Sequence, residues 1–150
     1  MSESIPLTSS DGWLLHAILL AAHDGQATLE GLVGAADMIN HAMLTFDEID
    51  GGLARLSAAG LVSTGDKRVQ ITATAAEMQA RVAKLSLRKA TETLRAELGI
   101  PEPVPPFRPT PPDPRWRSGT FTVDDLAKAE NGYRQKFRAA YKKPGPAHSA

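Results

Sequence analysis

Eight of the fourteen residues from Pro101 to Pro114 are proline. A backbone that lacks so many amide donors can continue neither a helix nor a sheet. The stretch therefore cuts the 150-residue chain into a long front part and a short basic end. Polyproline geometry rises about 3.1 Å per residue, so a spacer over residues 100–118 reaches some tens of ångströms, about 43 Å for its proline-rich fourteen alone. "PPFRP" and "PTPP" within it have the PxxP spacing of polyproline ligands, but a spacer needs the same residues.

The front part alternates helix signals with turns. "SSDGWLLHAILLAAHDGQ" predicts a first helix capped by Ser9 or Ser10 and ended near His23, before the turn dipeptide Asp24-Gly25. A second helix is predicted over residues 28–40, with Leu29, Leu32, Ala36 and Ile39 at helical spacing. Thr45 and Glu48 form a capping box that opens a third helix, which Gly60 ends. Val69 and Ile71 alternate after the turn residues "GDK", so residues 61–72 read as a β-hairpin. Thr74 with Glu77 then predicts one long helix through Leu98. Its stripe shifts from Met78, Val82 and Leu85 to Leu87, Thr91, Leu94 and Leu98, as if it met two neighbours in turn. Beyond the prolines, Thr122 with Asp125 caps a last helix carrying Leu126, Tyr133, Phe137 and Tyr141, and residues 144–150 read as a disordered tail.

Charge separates the two ends. Residues 1–72 carry net −6 and residues 73–150 net +6, which suggests a polyanion-binding tail or an attraction between the halves. There is no cysteine, so disulfides, thiolate metal sites and cysteine nucleophiles are excluded. "MSESIPLTSS" lacks the pattern of a signal peptide, and the apolar run Trp13 to Ala22 is far short of the roughly 20 residues of a membrane span. A soluble, cytoplasmic protein is expected.

"LARLSAAGLV" (Leu53 to Val62) resembles the end of the third helix and first wing strand of PadR-like and MarR-like bacterial transcriptional regulators. "RVQITATAAEMQARV" is similar to their returning wing strand and following dimerisation helix. The resemblance spans residues 9–98 and implies a mainly α fold, a winged helix-turn-helix over 9–73 with a two-stranded hairpin as the wing. A long helix over 74–99, the spacer and a basic helix over 119–143 would follow. It also implies a homodimer through residues 74–98, since Leu87, Leu94 and Leu98 lie beyond a three-helix core. The competing expectation is that the last helix folds back over this stripe with its basic side toward the acidic front.

In such regulators the third helix enters the major groove and the wing tip touches phosphate. Here that helix offers Asp47, Glu48, Asp50 and Arg55, and the wing offers Lys67 and Arg68. Most affinity for DNA comes from neutralising phosphates, and three carboxylates at the groove floor oppose it. On this reading, changing Asp50 to Asn should strengthen non-specific DNA binding. The last helix adds Arg134, Lys136 and Arg138 among aromatic residues, a pattern for nucleic acid or an acidic surface that a solvated helix face explains equally. The expectation is a DNA-binding regulator-like protein with an acidic recognition helix, or else a protein-interaction adaptor using that helix on a basic partner. His16 and His23 stand two turns apart, about 10 Å along a helix, too far to share a metal, and no phosphate loop or serine elbow occurs. No catalytic residue, metal or cofactor is expected.

Overall fold

The computed structural model describes residues 5–142 apart from Val104 and Phe107, so the expected tail over 144–150 lies outside the described residues. Helix α1 (Ser9–Ala21) is capped by Thr8, one residue before the expected caps. Thr8 wins because Asp11 stands three residues on. Its carboxylate accepts from the Thr8 amide at 2.8 Å while the Thr8 hydroxyl accepts from the Asp11 amide. Leu14, Leu15, Ala17, Ile18 and Leu19 bury nearly the whole circumference of α1, which becomes the central strut of the core.

Helices α2 (Leu29–Asn40) and α3 (Phe46–Ala58) flank α1, the first capped by Thr28 and the second by the expected Thr45–Glu48 box. Leu32, Leu53 and Leu56 are fully buried between them. The hairpin also forms, as β2 (Val62–Gly65) and β3 (Arg68–Ile71), in antiparallel register from Val62 opposite Ile71 to Gly65 opposite Arg68. Asp66 and Lys67 both take positive φ, as a two-residue turn with right-handed strand twist requires.

Sequence reading missed a third strand. Residues Gln26–Thr28 pair with the far edge of β3, so the sheet order is β1-β3-β2. Three residues are too few to show an alternation. Only the tertiary position of β3 makes them a strand.

The expected single helix over 74–98 is two helices. The first, α4 (Ala73–Val82), is capped by Thr72 rather than Thr74, and α5 (Leu87–Leu98) starts afresh at Ser86, whose hydroxyl accepts from the Lys89 amide at 3.2 Å. The break falls where the apolar stripe shifts, and that shift marks a turn. After it α5 doubles back beside α4, where Arg81 clasps Glu97 at 3.0 and 3.1 Å, and lays Ala90, Thr91 and Leu94 against α1. Of the residues that suggested a dimer, Leu94 is buried within the chain and Leu87 and Leu98 are half-buried. His16 of α1 meets this stripe. The Thr91 hydroxyl gives its proton to the Leu87 carbonyl at 3.1 Å, so it accepts from His16 Nδ1 at 2.6 Å, and burial pushes the imidazole down to about 4.

The proline-rich segment is a strap across the front of α1 and α3, not a free spacer. It leads to α6 (Val123–Lys142), opened by the expected Thr122–Asp125 box. Phe121, Leu126 and Ala129 enter the core, and α6 lies on α2 rather than on the α5 stripe. Gly34 permits that contact, because a Cβ there would sit 2.9 Å from the Tyr133 ring. No described helix is long and apolar enough to cross a membrane.

Candidate interaction site on the third helix

Two of the three acids of α3 point into the protein. Glu48 and Asp50 are buried, and Asp47 alone of the three faces water. Glu48 holds the Thr45 amide at 2.9 Å with one oxygen and the Thr110 amide of the strap at 3.4 Å with the other. Asp50 Oδ1 accepts from the amides of Ser118 at 3.1 Å and Gly119 at 2.9 Å. Its carbonyl also accepts from Ser118, at 3.2 Å. Positive φ at Gly119 turns the two amides toward the carboxylate.

Two glycines let chain approach α3 from both sides. A Cβ at Gly52 would meet Leu14 and lie 2.9 Å from Asp11 Oδ1, so α1 can cross closely. At Gly51 a Cβ would lie 3.2 Å from the Arg55 guanidinium and 3.4 Å from the Trp116 carbonyl, so the strap lies nearly on the helix backbone. Arg55, expected on the groove side, is turned inward instead. Its Nε and Nη2 donate to the two carboxylate oxygens of Asp11 at 2.6 and 2.9 Å, and both side chains are buried. A fork of this kind is the geometry that guanidinium and carboxylate share.

The strap is held by further contacts. Ser10 and Thr110 join their hydroxyls at 2.7 Å. Arg115 folds back on Asp113 at 2.9 Å and holds that carboxyl down to about 2. The indole Nε1 of Trp116 is buried without a hydrogen-bond partner.

The cations expected to contact a partner are scattered. Lys67, at the hairpin tip, donates to Asp125 of α6 at 2.7 Å, and this bond draws the Asp125 carboxyl down to about 2. Arg68 is exposed and reaches Gln26 at 3.3 Å. Lys136 pairs with Glu30 of α2, and the Tyr133 hydroxyl donates to Asp37 at 2.7 Å. Arg134 and Arg138 are exposed. The attraction between the halves is therefore realised in one direction by Lys136 on Glu30 and in the reverse by Lys67 on Asp125. The nine expected contact residues do not form one surface.

Sequence reading missed Asp11, Thr110, Trp116, Ser118 and Gly119. For Asp11 the acid three residues after Thr8 was a usable signal, and for Trp116 the isolated aromatic after the prolines was another. Nothing local marks Ser118 or Gly119 as donors to Asp50. No family model, curated protein or solved structure matches this chain.

Proposed function

We propose that the chain is a non-enzymatic binding protein on a winged-helix frame, and that its α3 face takes extended polypeptide rather than the major groove. The frame is supported by the helix order, the hairpin after α3 and the sheet order β1-β3-β2. One observation carries the choice of polypeptide: Asp50 and Glu48 receive backbone amides of the strap on the side that a groove reader turns to bases. Carboxylates repel phosphate but accept amide donors, and here they already do so within one chain. The protein is then an interaction module of the adaptor type, whose α3 face is occupied by its own segment.

A second reading, DNA binding, is favoured by the exposed Arg134 and Arg138 on α6, with Arg68 of the hairpin. Anisotropy of a labelled duplex at rising salt separates the two. The interaction-module reading expects no duplex binding with a steep salt slope. Binding that falls by roughly 0.9 log unit per log unit of salt for each phosphate contact, and that drops in Arg134→Ala with Arg138→Ala, would replace it with DNA binding.

A further inference from the structure

Arg95 of α5 presents an unsolved electrostatic problem. Its stem lies against Gly12, where a Cβ would come within 3.0 Å of Arg95 Cγ, and its Nε is buried without an acceptor. Glu92 and Glu102 act on it only through space, and burial lowers its proton affinity on balance. A guanidinium stays charged in proteins, so Arg95 places a fixed cation here with no carboxylate in hydrogen-bond contact at its Nε.

Arg95 borders a cavity of about 670 Å³ beneath the strap, which Arg108, Ser9 and Ser10 also line. Glu48 is the one carboxylate among its lining residues, and both its oxygens already hold backbone amides. The remaining lining is mixed, with Trp13, Met43 and prolines of the strap such as Pro106 beside the polar Asn40 and Thr45. Two cations and the Ser9 hydroxyl, with an indole and prolines in the same lining, fit a ligand with one anionic end and one apolar end. The volume lies within the usual range of small-molecule sites and is far larger than an inorganic ion needs.

We propose that this cavity binds a small phosphate monoester, with Arg95 and Arg108 on the phosphate and the apolar part against Trp13 and Met43. Phosphate suits the donor set better than carboxylate, because three oxygens can use two guanidinium groups and the Ser9 hydroxyl together. The site does not depend on what occupies the α3 face.

Phenyl phosphate titrated into the full-length protein, read by tryptophan fluorescence and thermal midpoint at constant ionic strength, tests it. Saturable binding is expected, at least about tenfold tighter than inorganic phosphate or benzoate. Arg95→Met should weaken it by about tenfold or more while leaving the ligand-free midpoint equal or higher, since an uncompensated buried charge has gone. Arg108→Met, at an exposed position, should weaken it similarly and serves if the first variant misfolds. Absence of saturation in the wild type, or unchanged affinity in Arg108→Met, would overturn the site. Benzoate binding as tightly as phenyl phosphate would overturn the phosphate assignment.

Discussion

Helix α3 and the far half of α6 are both highly charged in sequence, and they treat their charge in opposite ways. On α3 Glu48, Asp50 and Arg55 are all buried, each held by named partners from α1, the strap or the helix's own cap. On α6 Arg134 and Arg138 stand in water. A charge can recognise a partner only if the fold has not already satisfied it. By that measure the acids of α3 are engaged by the chain's own strap, which an incoming polypeptide would have to displace, and the basic helix keeps its charge on the surface.

The largest expected contrast is between two arginines. Removing Arg55 strands Asp11 in the core, and Arg55→Ala should cost about 3–5 kcal/mol in denaturant unfolding, as breaking a buried pair does. Arg134→Ala should change stability by less than about 0.5 kcal/mol, the usual range for a surface substitution. If Arg55→Ala lost under about 1 kcal/mol, the inward reading of α3 would fail. Asp11→Ala should resemble Arg55→Ala, and the double variant should cost less than the sum of the two.

A somewhat smaller effect, about 3 kcal/mol, is expected from acid at the α1–α5 contact. The unfolded chain protonates His16 near 6.5, whereas the folded chain resists until about 4. Protons therefore favour the unfolded state, and stability should fall as pH drops from about 6.5 toward 4. His16→Gln, which cannot titrate, should flatten that part of the pH profile whatever its absolute stability. An unchanged slope would show that other groups set the acid sensitivity.

Much of this was legible in advance, and what was not has a common cause. Capping boxes at Thr45 and Thr122 and the hairpin turn at Asp66-Lys67 are local, so short-range rules located them. The break at Ser86 was visible as a shift in the apolar stripe, but it looked like a change of neighbour because one helix meeting two partners leaves the same mark. Arg55 looked like an outward residue because its partner lies 44 positions away on α1. Asp50 looked like a free acid because its donors are backbone amides 68 and 69 positions on. Backbone donors carry no residue signature, so no inspection of side chains alone could reveal that the prolines lead to a strap.

The strap offers a finer test of α3 itself, through two acids one turn apart. Asp50→Ala should lose about 1–3 kcal/mol, the range for hydrogen bonds to a charged acceptor, and should speed hydrogen exchange at the Ser118 and Gly119 amides. Asp47→Ala should leave those amides protected and cost no more than about 1 kcal/mol, from the helix dipole. The sequence-based expectation that Asp50→Asn strengthens DNA binding loses its geometry here, because the Asp50 carboxylate faces the strap. Equal exchange in the two variants would mean that the strap is held elsewhere.

The smallest effect belongs to the hairpin tip, where a cation expected to touch a partner instead touches α6. Lys67 is 58% exposed, so solvent and salt screen its bond to Asp125. Lys67→Ala should lower the thermal midpoint slightly in dilute buffer and not measurably in 1 M salt. The Asp125 carboxyl, held to about 2 by Lys67 first and the Thr122 amide next, should titrate closer to its ordinary value in the variant while staying below it. That residual depression is the sharper readout, because the Thr122 amide remains when Lys67 is gone. Carbon-13 shifts of the carboxyl measured between pH 2 and 5 would follow it. If the carboxyl titrates identically in the two proteins, the 2.7 Å bond is not populated in solution. Lys67 would then join Arg134 and Arg138 as a cation presented to water, and the contrast between the two charged helices would no longer extend to the hairpin tip.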